Sequence, residues 1–247
     1  MAHFDVNRRR LLSAGVAIGT VAVSGQPINA RSITGGVPWE PDQAAAPPVA
    51  LPHAPPPALF FTDQERAFID AAVSRLIPQD DLGGGAKEAG VTFFLDRQLA
   101  GSYGKARTWY MQGPWSEGTP SQGNQSRLTP AQTYRAAIKA IDSYCQKTFS
   151  NKTFAQLAEK QQDDVLTDLE NGKIELEGVK SKSFFKAFLQ NTLEGFFSDP
   201  IYGGNRDMVG WKLIGFPGAR YDYRDYVSKH GAKLALSPVG LKIIPQD

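Results

Sequence analysis

The side chains able to do acid–base, nucleophilic or metal chemistry are few in this sequence, and they are scattered. Histidine occurs at His3, His53 and His230, and cysteine once, at Cys145. His3 falls in an N-terminal targeting segment and His53 in a proline-rich stretch, so a histidine dyad would rest on His230 alone. A single cysteine cannot supply the C-x-x-C-H of a c-type haem, a thiolate zinc site or an iron–sulfur cluster. Asp80-Asp81 sits in a glycine-rich turn with no histidine or third acid at ligand spacing, and is expected to cap the following helix. Asp163-Asp164 reads as solvated helix surface, because adjacent helical residues do not face each other. No phosphate-cradling G-x-x-x-x-G-K-[ST] loop and no dinucleotide fingerprint occurs.

One stretch is left as a site candidate. Gly203-Gly204-Asn205-Arg206 has the composition of an amide nest with a guanidinium for an anion, and Lys212 is the nearest second cation. An exported enzyme or ligand-binding module would have to draw on Arg206, Lys212 and His230. The simpler expectation is that Arg206 pairs with Asp199 or Asp207 and fixes the loop, since anion sites usually bring a second fixed positive group or a helix N-terminus.

The elements that must position these residues are helical. Thr62-Asp63-Gln64-Glu65 is a capping box, followed by Ile69, Val73, Leu76 and Ile77 at helical spacing and stopped by Pro78. Val91, Phe94, Leu95 and Leu99 share one face of a second helix. Residues 101–127 read as loop, with Tyr103, Trp109, Tyr110 and Trp115 among Gly, Pro and Ser. Thr129, Pro130 and Gln132 open a further helix whose apolar face carries Tyr134, Ile138, Ile141 and Cys145. A buried, inert thiol is one reading of Cys145; an interchain disulfide of an exported protein is the other. Leu157, Val165, Leu166 and Leu169 point inward from a helix or helix pair ending in a glycine cap at Gly172. Ser181 and Ser183 are the expected caps of an aromatic helix carrying Phe184, Phe185, Phe188, Leu189, Leu193, Phe196 and Phe197. That is more apolar surface than one core-facing stripe needs, so the helix is expected to touch neighbours on several sides. The segment after Pro200 has no clear period.

The N-terminus carries the most specific signal. Asn7-Arg8-Arg9-Arg10-Leu11-Leu12 is a twin-arginine motif, followed by an apolar run to Val23 and a small-residue cleavage site at Ile28-Asn29-Ala30. The run is shorter than the roughly 20 residues that a bilayer core demands. Residues 1–30 therefore read as a twin-arginine export signal, with Arg8 and Arg9 as its recognition pair. Arg8, Arg9 and Arg10 are three of 27 basic residues and Asp5 one of 25 acidic ones, so the remainder is formally neutral. That leaves no nucleic-acid footprint. Residues 31–58 form a proline-rich extended arm, and 59–247 a single irregular all-α domain with long loops.

Several blocks in order resemble one family. Phe60-Phe61-Thr62-Asp63-Gln64-Glu65 leads to Leu76-Ile77-Pro78, then to Gly84-Gly85-Ala86-Lys87-Glu88-Ala89-Gly90-Val91 and Leu95-Asp96-Arg97-Gln98-Leu99-Ala100-Gly101. Tyr202-Gly203-Gly204-Asn205-Arg206 and Trp211-Lys212-Leu213-Ile214-Gly215-Phe216-Pro217-Gly218 complete the set. This pattern is similar to the gluconate 2-dehydrogenase subunit 3 family. The resemblance implies a non-catalytic small subunit of a periplasmic, membrane-associated sugar or polyol dehydrogenase of the fructose, gluconate, sorbitol or glucose type. It implies two partners: an FAD-bearing large subunit of the glucose-methanol-choline type, and a multihaem cytochrome c carrying haem c. The chain itself would hold no cofactor and would meet the membrane only through the complex. The twin-arginine route carries folded proteins, so the small subunit would escort the flavin-loaded large one. The candidate partner-interface residues are Cys145, Phe197, Tyr202, Asn205, Arg206 and Trp211.

Overall fold

Helix α1, Asp63–Leu76, starts where its sequence requires. The Glu65 amide donates to the Thr62 hydroxyl at 3.3 Å and the Thr62 amide to the Glu65 carboxylate at 2.9 Å, closing the capping box. Helix α3, Pro130–Thr148, repeats the device with Thr129 and Gln132, and places Pro130 where a missing amide costs nothing. Helix α4, Glu159–Asn171, follows a single 3₁₀ turn at Phe154–Gln156 and ends on Gly172 at φ 74°, the left-handed cap expected there. The computed structural model describes residues 57–241 apart from 117, 120–121, 123–124, 221–222 and 233–235, all within one compact unit. The export signal with Arg8 and Arg9, and the arm as far as residue 56, lie outside the described residues.

Two helix starts differ from expectation. Helix α2, Val91–Ala100, is not capped by Asp80 or Asp81. Asp80 accepts the Leu82 amide at 2.8 Å inside its own turn, and the chain enters α2 through Gly90 at φ 78°. Helix α5, Ser181–Phe197, has Lys180 rather than a serine at its N-cap; Ser181 is already helical and buried, and no side chain caps the end. Helix α6, Val209–Ile214, forms in the stretch that showed no period. Among the described residues there are six α-helices, no β-strand, and no helix long and apolar enough to cross a membrane.

Helix α5 packs against α1, α2, α3, α4 and α6, the many-sided role that its excess of aromatic residues predicts. Phe184, Phe185, Phe188 and Phe196 are buried in one core with Phe68 and Ile69 of α1, Leu95 and Leu99 of α2, Tyr134 and Ile141 of α3, and Leu169 of α4. Phe184 and Phe188 stack in parallel at 5.8 Å, and Tyr134 meets both edge-on. Leu193 is 37% exposed, so the helix is not wholly enclosed.

Three buried polar side chains tie the elements together, each hydrogen-bonded as burial demands. Asn191 donates to the hydroxyls of Tyr103 and Tyr134, which joins α5 to the long loop and to α3. Burial raises the pKa of both tyrosines above the ordinary range. Asp142 accepts from the Phe154 amide and from Gln64, joining α3 to the 3₁₀ turn and to α1. Asp96 takes three amides in succession, from Leu59 at 2.7 Å, Phe60 at 3.0 Å and Phe61 at 2.9 Å. Arg135 holds the same segment from the other side: it donates to the Phe60 carbonyl at 2.7 Å, lies over the Phe60 ring at 4.4 Å and pairs with Glu65. The chain therefore enters the domain at a fixed point.

Replacing Asp96 by Ala strands three amides that were bonded to one charged acceptor, at an expected cost of about 2–4 kcal/mol. Urea unfolding followed by circular dichroism checks this. Asp96→Asn keeps one acceptor oxygen and should lose less, whereas unchanged midpoints for both would show that the clamp contributes nothing.

Candidate partner interface

The last four carbonyls of a helix have no partner within it. At the end of α5 the chain turns away at once, since Ser198 is extended (φ −62°, ψ 161°) and no glycine follows to fold the backbone back. Residues of the next loop supply the donors instead. The Ser198 hydroxyl donates to the Gly195 carbonyl at 3.1 Å, and the Trp211 indole to the Phe197 carbonyl at 2.8 Å. The Asn205 amide group donates to the Ser198 carbonyl at 2.9 Å, while its oxygen accepts the Gly210 amide at 2.9 Å. This needs close approach. A Cβ on Gly204 would collide with the Gly195 carbonyl, and one on Gly210 with the Phe196 carbonyl. Asn205 adopts φ 46°, and the two residues after Arg206, Asp207 and Met208, are also left-handed at 55° and 56°. Each costs about 1 kcal/mol for an L residue, least for Asn, so the capping bonds must offset that strain.

The candidate interface residues separate accordingly. Asn205 is fully buried and Trp211 is 5% exposed, so both face inward because the helix end needs their donors. Cys145 is fully buried, and desolvation, with a smaller push from the Asp142 charge, drives its thiol up to about 12. Of its two readings the inward thiol is the one that this position matches. Phe197 is half-buried, edge-on to Phe196 at 5.0 Å. Tyr202 is 53% exposed. Lys212 and His230 are exposed, and neither bonds to Arg206 or to the other.

Arg206 corrects the expected pairing. Its side chain makes no ion pair with Asp199 or Asp207. Asp199 is already engaged, accepting the amides of Ile201 and Leu241, and Asp207 is turned outward. Nor is the nest free for an anion: the Arg206 amide donates to the Ala89 carbonyl and the Gly203 amide to that of Pro200. The guanidinium lies near Gly90, 3.7 Å from where a Cβ there would stand, with its Nε buried and unbonded.

Two features escaped sequence reasoning. On α6 and its turn, Leu213, Ile214 and Phe216 are 46%, 60% and 42% exposed; without a period, nothing marked them as outward. On α2, Phe93 and Arg97 lie off the apolar stripe, with the guanidinium 5.1 Å from the ring. Their i, i+4 spacing was the available signal. Gly203 sits against this pair: a Cβ there would come within 2.7 Å of Phe93 Cδ1 and 3.6 Å of Arg97 Cδ. Among the described residues, no group of three or more His, Cys, Asp or Glu is placed to hold a metal ion.

Comparison with known proteins gives one family. The family model described as gluconate 2-dehydrogenase subunit 3 matches residues 63–218, from the first residue of α1 to just beyond α6. No curated protein matches the chain. No solved structure matches it either.

Asn205→Ala removes two buried hydrogen bonds and puts a less tolerant residue at positive φ, so stability should fall by about 2–4 kcal/mol in thermal or urea unfolding. Separately, the Cys145 thiol should resist a thiol reagent at pH 8 in the folded chain and react at once in denaturant; fast labelling of the native protein would contradict its burial.

Proposed function

Because the chain belongs to the gluconate 2-dehydrogenase subunit 3 family, whose members are small subunits of a dehydrogenase complex, we propose a specific role within such a complex. The chain is the non-catalytic small subunit of a periplasmic, membrane-associated, FAD-dependent sugar or polyol dehydrogenase. The flavin belongs to a large subunit of the glucose-methanol-choline type, and a multihaem cytochrome c takes up the electrons. The small subunit stabilises the flavoprotein and escorts it, folded, through twin-arginine export. It is tethered to the cytoplasmic membrane only through the complex.

The observation that carries this reading is the family match over residues 63–218, the whole helical core. Two others support it. Asn205 and Trp211 of the family-like loop are engaged in capping the end of α5. Arg8-Arg9 supplies an export signal of the kind that passes folded proteins.

Changing Arg8 and Arg9 together to Lys should strand both subunits in the cytoplasm, with periplasmic dehydrogenase activity falling to background while total flavoprotein persists. Normal periplasmic activity in that variant would overturn the escort role.

A further inference from the structure

Arginines on the helical core fall into two groups. Arg75 forks onto Asp163 at 2.7 and 2.9 Å and reaches Glu159 at 2.8 Å, and these acids raise its pKa above the ordinary value. Arg135 is held by Glu65 and the Phe60 carbonyl. Arg66, Arg97 and Arg206 form no ion pair.

One of them stacks on Phe93, and the other two lie beside that residue's neighbours. Arg97 lies over Phe93, and Gly203 presses on Phe93 and Arg97 together. The Arg206 guanidinium lies 3.7 Å from the Cβ position of Gly90, which itself lies 3.2 Å from the Gly203 carbonyl. Arg66 lines a small recess with Phe93 and Asp96. Two acids stand at this place: Asp96, whose oxygens are taken by three amides, and Asp70, which accepts the Thr92 hydroxyl at 2.6 Å. Tyr202, 53% exposed, stands next to Gly203.

We infer that this face, Phe93 and Tyr202 flanked by Arg66, Arg97 and Arg206, is where an acidic segment of the flavoprotein subunit docks. The inference rests on the small-subunit reading and adds the place and the chemistry of contact. Charge complementarity selects the occupant. Three guanidiniums without an ion pair call for acceptors from outside the chain. Arginine stacked on an aromatic side chain is also the composition of a protein-interface centre. The Arg97 guanidinium stacks on Phe93 and presents a planar fork that suits a bidentate carboxylate.

The test uses the complex of the full-length chain with its flavoprotein subunit. Dissociation constants are measured at about 50 and about 300 mM salt, where screening differs strongly. Arg97→Glu reverses an exposed charge and Arg206→Gln removes one at similar size. Lys182→Glu, at the opposite end of α5, is the control, and thermal melts confirm that all three fold. Arg97→Glu should weaken binding about tenfold or more at low salt and less at high salt, as for a contacting charge pair. Arg206→Gln should weaken it severalfold and Lys182→Glu not at all. A flavoprotein carboxylate changed to Lys should restore binding to Arg97→Glu. If the wild-type complex forms and both arginine variants bind as tightly, the docking face is wrong and the small-subunit reading stands. If the wild-type chain binds no flavoprotein, both fall. If Arg97→Glu instead loses binding to vesicles of phosphatidylglycerol in phosphatidylcholine while flavoprotein affinity is unchanged, the face belongs to the membrane and the inference is overturned.

Discussion

The end of a helix exposes carbonyls that need donors, and in this chain the donors for α5 come from a loop folded for that purpose. Ser198, Asn205 and Trp211 each satisfy a carbonyl at or just beyond the end of α5, while Gly204 and Gly210 let the backbone come close enough. Since α5 packs on five other helices, whatever fixes its end also fixes the frame for the rest. This accounts for the most distinctive stretch of sequence without invoking catalysis. Glycines, an asparagine at positive φ and a tryptophan with a placed indole are what such a capping loop demands.

The same logic runs through the interior. Asp96, Asp142 and Asn191 each bridge separate elements, and each is nearly or fully buried with its bonds made. Such groups contribute modestly when satisfied and cost much when broken, so they specify one arrangement more than they add stability. Asp96 also fixes residues 59–61, which lead into α1. The outward residues are those with no such duty: Tyr202, Arg97, the exposed side of Arg206, and the apolar end of α6. An accessory subunit needs that division, with a frame that folds on itself and a face left for another chain.

Much of the fold was legible in the sequence, for local reasons. Both capping boxes, the glycine stop at Gly172 and the inward faces carrying Tyr134, Ile141, Leu166 and Leu169 depend on residues within a few positions of one another. The failures involve distance. Asp80 looked like a cap because the left-handed Gly90 that opens α2 is shaped by packing against residues 203–206. Arg206 looked paired because Asp199 and Asp207 are near in sequence, yet Asp199 is used by an amide 42 residues away. Asn205 and Trp211 looked like contact residues, and only the geometry of the helix end reveals that they face inward.

The central claim is that this chain works as the small subunit of a flavin dehydrogenase complex. The most direct measurement is native mass spectrometry, with flavin absorbance, of material purified from the periplasmic membrane fraction through a C-terminal tag on the full-length chain. The account predicts this chain in one assembly with a larger, flavin-absorbing subunit. Recovery of the chain alone, with no flavin and no larger subunit, would contradict it.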